Sequence, residues 1–264
     1  MPHQPESGRS LPVVVTRPQQ QAQVFADQIT AIGREAQVFP LLAIEALADS
    51  SELRAVMARL HEYALVVFVS PNAIDATFAC LQRWPAQVAI GVVGEGSRLA
   101  LRDHGVDQAN ATIYAPQRPD KMDSEELLAA LPLATLRGRR ALVVRAQQGR
   151  DLLGNALQQH AIEVDFVTAY RRLAPPMTPE RSSRLLALLD DGADWVITSS
   201  EALRHLLAMA RLAGGADRVV KLQRQRIYVS HHRIARTAES LGFSTVILTG
   251  SGDERLIAAL QSTP

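Results

Sequence analysis

Residues 141–172, ALVVRAQQGRDLLGNALQQHAIEVDFVTAYRR, have a degenerate copy in the same chain at residues 13–44, VVVTRPQQQAQVFADQITAIGREAQVFPLLAI. Each copy opens on an apolar run and turns through a polar tetrad, Arg145-Ala146-Gln147-Gln148 or Arg17-Pro18-Gln19-Gln20. It continues at helical spacing and ends in an alternating strand. The duplication runs further. A strand ending in a hydroxyl turn follows each copy, at Ser70-Pro71-Asn72 and at Thr198-Ser199-Ser200, with 53 positions from Arg17 to Ser70 and 53 from Arg145 to Thr198. A third strand, residues 89–93 or 226–229, then enters a helix through Gly94-Glu95-Gly96-Ser97 or Ser230-His231-His232-Arg233. Strands alternating with helices in two half-chain copies predict an α/β fold of two similar parallel-sheet lobes. A ligand is expected between the lobes, at the carboxyl ends of the parallel strands.

The rest of the chain is compatible with that plan. With 264 residues, 47% of them hydrophobic, it has enough apolar material for two cores. A net charge of +1 points to neither nucleic acid nor an anionic membrane, so affinity for anions has to come from a local patch. The single cysteine, Cys80, excludes a disulfide framework and a multi-cysteine metal site. It shares a helical period with Ile74, Phe78 and Leu81 and reads as buried filler. No apolar stretch reaches the roughly 18 residues of a membrane span, and the polar residues 1–10 lack the apolar core of a signal peptide. The expected location is the cytoplasm.

Local signals place the elements. Pro18 suits the first position of a helix that Gly33 ends, and Pro40 demotes residues 38–45 to an edge or a linker. Residues 53–60 read as a helix, and Ser70-Pro71 as a cap followed by proline at the first helical position. Residues 115–123 and 173–179 are loop-like. Thr198-x-x-Glu201 fits a capping box, Gly214-Gly215 breaks the chain, and residues 245–248 supply a last strand before a helix over 254–260.

Six strand-to-helix turns follow, at Thr16, Ser70, Gly94, Arg145, Thr198 and Ser230. Each presents free N–H groups and a positive dipole end, with Arg17, Arg98, Arg145, Arg150, Arg204 and Arg233 at or just past them. One such turn reads as ordinary capping; six on two lobes suit a ligand with several carboxylates or phosphates. Nucleotide motifs are incomplete, since Leu99 stands where the third glycine of a dinucleotide fingerprint belongs, and Walker and nucleophile-elbow patterns are missing. His231-His232 lacks a third spaced ligand and reads as a loop rather than a metal site. Tyr170 lies on a crossing segment, either with its phenol reaching the ligand or as an amphipathic edge residue.

Taken together, Val15-Thr16-Arg17-Pro18, Ser70-Pro71-Asn72-Ala73, the turn at residues 91–97, Arg145 with Gly149-Arg150, Ala169-Tyr170-Arg171-Arg172 and Ile197-Thr198-Ser199-Ser200-Glu201-Ala202 resemble the uroporphyrinogen-III synthase family. These phrases follow one another with fitting spacing over nearly the whole chain. The resemblance implies a discontinuous lobe of residues 11–38 and 174–264, an inserted lobe of residues 45–166, and hinge strands at 39–44 and 167–173. It implies that the substrate is hydroxymethylbilane, a linear tetrapyrrole with eight carboxylates. Loss of its hydroxymethyl hydroxyl gives an azafulvene, and the substituted carbon of ring D attacks to form a spiro intermediate. Fragmentation and reclosure then give uroporphyrinogen III with ring D inverted. No cofactor, nucleic acid or membrane is implied, and the chain is expected to act as a monomer. Tyr170 matches the tyrosine that assists departure of the hydroxyl. Ser70, Ser97, Ser199 and Arg150 match polar positions that hold the acetates and propionates. Arg17, Asn72, Arg145, Thr198 and Arg233 join them as expected binding residues. The sequence departs from the family at Asn72, where some relatives carry arginine, and at His232-Arg233, where a threonine is frequent.

Two other classes fit the residues alone: a non-catalytic two-lobe binding protein for a polyanion, and a nucleotide-sugar transferase of two Rossmann-like lobes.

Overall fold

The computed structural model describes residues 10–118, 124–148 and 152–262. In chain order its elements are β1 (Val13–Val15), α1 (Gln19–Ala31), β2 (Ala36–Val38), β3 (Ala43–Ala46), α2 (Ser51–Ala58), β4 (Leu65–Phe68), α3 (Pro71–Phe78), β5 (Ala89–Val92) and α4 (Glu95–Asp103). Then come β6 (Ile113–Tyr114), α5 (Ser124–Ala130), α6 (Leu133–Leu136), β7 (Arg140–Ala146), α7 (Leu152–Gln159), β8 (Glu163–Leu173) and α8 (Pro179–Asp191). The chain closes with β9 (Asp194–Ile197), α9 (Ser200–Gln223), β10 (Arg226–Val229), α10 (His232–Ser240), β11 (Thr245–Leu248) and α11 (Asp253–Ser262).

The chain divides into two units, one formed by residues up to Ala43 together with those from Ala174, the other by Ile44–Leu173. The first holds a five-stranded sheet in the order β11-β10-β9-β1-β2, the second a six-stranded sheet in the order β3-β8-β7-β4-β5-β6. Apart from the additional edge strand β3, the two orders are the same. The pairing exchanges the two copies of the repeat: β1 lies parallel to β9, with Val13 opposite Asp194, and β7 lies parallel to β4, with Ala141 opposite Leu65. These registers make Val13 equivalent to Ala141, Arg17 to Arg145 and Ser70 to Ser199.

Both sheets are covered on both faces, which is why their strands read as unbroken apolar runs. In the first unit Trp195 and Ile197 point into one core with Leu203 and Leu206, while Val196 points into the other with Phe25, Tyr228 and Leu256. The second unit repeats the alternation, Val66 and Phe68 joining Ile74 and Leu142, and Leu65 and Val67 joining Leu127 and Val143. At the amino end of β9, Asp194 is fully buried and accepts hydrogen bonds from Arg34 and Arg226, each at 2.8 Å.

Several local expectations are corrected. Pro18, with ψ 145°, flanks α1 instead of occupying its first turn; Gly33, at φ 81°, does follow the end of that helix. The helix expected over 53–60 is α2, which starts at Ser51 and ends at Ala58 before a short 3-10 turn. The cap of α9 is Ser199 and not Thr198: its Oγ accepts from the N–H groups of Glu201 and Ala202 at 3.2 and 3.4 Å. The break expected at Gly214-Gly215 is present: Gly214 (φ −166°, ψ 27°) and Gly215 (φ 73°, ψ −160°) are non-helical and separate two helical stretches within α9, with Leu206 and Met209 buried before them and Val219 and Leu222 after. Cys80 lies beyond the end of α3 and is half-buried. Arg150 and part of the loop expected at 115–123 lie outside the described residues.

Candidate active site

In the second unit the site grows from a proline. Ser70 precedes Pro71, which disfavours helical backbone at residue 70, and Ser70 accordingly adopts φ −165°, ψ 160°, the extended geometry of a helix cap. Its Oγ accepts the Ala73 N–H at 3.2 Å. Two strands away, β8 carries an irregularity: Arg145 of β7 faces Thr168, but the next residue, Ala146, faces Tyr170, so Ala169 is an extra residue in the ladder. A bulge of this kind re-aims the side chain beyond it. The Tyr170 side chain is 4% exposed, and its phenolic oxygen lies 2.8 Å from Ser70 Oγ.

The start of α4 adjoins this pair. A Cβ at Gly96 would stand 3.4 Å from Pro71 Cγ, in ordinary van der Waals contact, so the two helix starts lie side by side. Ser97, in the first turn of α4, is 4% exposed and its N–H donates to Gly94 O at 3.1 Å. Asn72 is half-buried in the first turn of α3. Ser70, Asn72, Ser97 and Tyr170 are therefore gathered at the carboxyl ends of β4 and β5 and the adjoining part of β8. Arg145 stands at the end of β7 with its guanidinium carbon 4.5 Å from the centre of the Phe166 ring.

The first unit repeats the scaffold with different chemistry. Ser199 caps α9, and Thr198 is half-buried just before it. Where the second unit has Gly94 before α4, the first has His231 before α10, and the His231 Nδ1 accepts the Arg233 N–H at 3.1 Å. That bond requires Nδ1 to be unprotonated and makes His231 a helix cap, where the sequence reads as a loop. Arg233 is half-buried in the first turn of α10. Thr237 Oγ1 donates to Arg233 O at 2.8 Å, so at its 3.2 Å contact with Ser200 Oγ the hydroxyl of Ser200 is the donor. Thr16 is buried and donates to Val196 O at 2.7 Å, a bond that fastens the end of β1 to β9. Arg17 makes two hydrogen bonds to Asp253, at 2.6 and 3.0 Å. Counting on from the shared register, with the extra residue Ala169 allowed for, places Leu41, a buried side chain, where the second unit has Tyr170. The phenol is thus found on one of two otherwise similar scaffolds.

Among the described residues, no group of three or more His, Cys, Asp and Glu side chains is arranged to hold a metal ion, and no helix is long and apolar enough to cross a membrane. Sequence reasoning missed the Ser70–Tyr170 contact and the Asp253 partner of Arg17, whose members lie 100 and 236 positions apart. The cap role of His231 was legible in principle, since it occupies the position of Gly94 in the repeat.

Two parallel-sheet α/β units, with polar caps at the carboxyl ends of their strands and a buried tyrosine at one of them, define a protein of the doubled α/β class. The family described as uroporphyrinogen-III synthase HemD matches residues 23–257, and the chain belongs to that family. It is similar to the uroporphyrinogen-III synthase of Salmonella typhimurium, at 31% identity over 94% of this chain and 99% of that protein. The synthase of Escherichia coli is 29% identical over the same shares. Among solved structures, the fold matches the enzymes of Helicobacter pylori, with a TM-score of 0.61 at 11% identity, and of Thermus thermophilus, with 0.57 at 17%. Each match covers 97% of this chain and all of the other. The chain is accordingly an enzyme of heme biosynthesis, a cyclising lyase whose substrate is a tetrapyrrole.

Proposed function

We propose that the protein closes hydroxymethylbilane into uroporphyrinogen III, with inversion of ring D through a spiro intermediate and release of water, and that Tyr170 delivers the proton to the departing hydroxyl. The observation that carries this reading is the buried Tyr170 phenol, held 2.8 Å from a helix-capping hydroxyl at the carboxyl end of the sheet. A hydroxyl leaves poorly as hydroxide, and a positioned acid lowers that barrier, typically by 10²–10⁴-fold in rate. The C–O bond breaks toward oxygen, driven by the lone pair of the pyrrole nitrogen. The tyrosinate left behind takes up the proton that ring D releases once closure is complete.

Most of the remaining catalysis is orientation: the substituted carbon of ring D has to be brought to the electrophilic carbon ahead of its unsubstituted competitor. Carboxylates suit the cap sites, where helix N–H groups and dipoles favour negative charge. Asn72, Ser97 and Arg145 are assigned to this task in the second unit, and Thr198, Ser199 and Arg233 in the first; Arg150, which lies outside the described residues, is assigned to it from the family resemblance alone. The pairing of Arg17 with Asp253 supports a structural role for that residue. The reading includes action as a monomer in the cytoplasm on a free small molecule, without a nucleic-acid or membrane partner.

The test is product identity. Freshly generated hydroxymethylbilane is supplied, the products are oxidised, and type I and type III porphyrins are separated by chromatography. Dominant type III product is expected. Type I product alone, from protein shown to be folded, would contradict the reading and favour a non-catalytic polyanion-binding protein.

A further inference from the structure

We propose that Ser70 is a positioning residue for Tyr170: its hydroxyl donates to the phenolic oxygen, leaves the phenol's own hydrogen directed at the substrate, and stabilises the tyrosinate once that proton has gone. This inference rests on the reading of Tyr170 as proton donor.

The argument begins with hydrogen counting. Ser70 Oγ has one hydrogen and two lone pairs, and one lone pair accepts the Ala73 N–H at 3.2 Å. Tyr170 Oη likewise has one hydrogen. Across the 2.8 Å between the two oxygens either can donate. Were the phenol the donor, its hydrogen would be spent on Ser70 and unavailable to a leaving group. With Ser70 as donor, every hydrogen has a task, and a chain runs from the Ala73 N–H through the serine hydroxyl to the phenolic oxygen. The chain begins at the amino-terminus of α3, whose positive dipole end favours negative charge placed beyond it. In the reaction the Tyr170 O–H bond breaks as the new O–H bond of water forms, and negative charge gathers on an oxygen that already receives a hydrogen bond. Such a bond strengthens as the charge develops and therefore lowers the barrier more than it stabilises the resting enzyme.

Comparison of the units supports a specific role. Both capping serines accept backbone N–H groups, Ser70 from Ala73 and Ser199 from Glu201 and Ala202. Ser199 caps its helix in the same way, but its unit has Leu41 at the position of the phenol. In the second unit the bulge at Ala169 sets the ladder so that Tyr170 meets the cap. Ser97 does not take this place, since its side-chain oxygen has no hydrogen bond to Tyr170 among the described residues.

Capping and donation are separable by substitution. Glycine is tolerated at a helix cap with little loss of stability but has no hydroxyl, whereas threonine keeps both the cap and the donor. Ser70→Gly is expected to melt within a few degrees of the parent, with kcat lowered by about 10- to 100-fold and KM nearly unchanged. Ser70→Thr is expected to retain most of kcat. Ser70→Gly with full kcat, or with raised KM and unchanged kcat, would overturn the proposal and leave Ser70 as a cap or a carboxylate-binding residue. Tyr170→Phe measured alongside distinguishes the two levels. Normal turnover in that variant removes the donor itself and the relay with it, while slow Tyr170→Phe beside full-rate Ser70→Gly overturns the relay alone.

Discussion

Arg17 holds Asp253 through both terminal nitrogens of its guanidinium, at 2.6 and 3.0 Å, and so ties the turn after β1 to the first turn of α11. The same guanidinium lies 4.4 Å above the centre of the Phe25 ring. An arginine at a strand end facing helix termini invites a substrate-binding reading, yet its charge is already matched. The Asp253 side chain is 40% exposed, so the ion pair is screened and contributes on the order of 1 kcal/mol, with a similar amount from stacking on Phe25. Arg17→Ala is therefore expected to destabilise by about 1–2 kcal/mol. Asp253→Ala is expected to cost less, and the double variant little more than Arg17→Ala, with KM unaffected in all three. Additive losses in denaturant unfolding, or a large rise in KM, would count against this assignment.

The buried pairing of Asp194 with Arg34 and Arg226 sits at the amino end of β9, away from the capped strand ends. Removing one member of such a cluster strands the rest without compensation. Asp194→Ala should lose about 3–5 kcal/mol of stability while leaving kcat intact below its lowered melting temperature. Melting curves and steady-state rates at 15–20 °C, roughly where mesophilic domains are most stable, check both parts.

These pairs mark the limit of what the chain discloses as a string. The cap at Ser70 is legible because it depends on neighbours a few positions away, and the repeat and the parallel sheets because two stretches of the chain keep the same order of apolar runs and helical spacing. The exchange of β1 into the sheet of β9 is not, since Val13 would pair equally well with either copy's later strand, and only the family resemblance suggested it. The choice between Thr198 and Ser199 is illegible for a similar reason: a capping box is a spacing rule, and adjacent hydroxyl residues come within one position of satisfying it. The residues that meet Tyr170 and Arg17 are set by tertiary packing, and no local pattern points to them.

Alkaline pH should expose the cluster around Tyr63. Its phenol donates to Asp165 at 2.8 Å, and burial, followed by that hydrogen bond and the carboxylate charge, pushes it up to about 12. A raised folded-state value means stability that is fully present below pH ~10 and lost as pH climbs toward ~12, because the unfolded chain gives up its proton first. The stability difference between the parent and Tyr63→Phe should shrink by up to about 2 kcal/mol across that window; a constant difference would contradict the assignment. For Asp165 the sign is opposite. Burial opposes its ionisation, but hydrogen bonds from Arg140 and Tyr63 outweigh that and hold the carboxyl below its usual range. Its contribution is present above about pH 4 and fades as pH falls further.

Gly154 of α7 lies directly against Phe166 of β8: a Cβ there would come within 2.2 Å of Phe166 Cζ. Since Arg145 stacks on that ring, Gly154→Ala displaces the platform under an expected substrate-binding residue. A loss of about 1–3 kcal/mol is expected from overpacking, partly recovered by adding Phe166→Leu. No recovery in the double variant would place the cost elsewhere.

The most direct test of the central claim is the turnover of Tyr170→Phe on hydroxymethylbilane, with circular dichroism and a melting curve confirming the fold. Loss of the proton donor should lower kcat by about 10²-fold or more, leave KM near the parent value, and let spontaneous closure shift the products toward the type I isomer. A folded variant that makes type III product at the parent rate would show that the phenol carries no proton in the reaction.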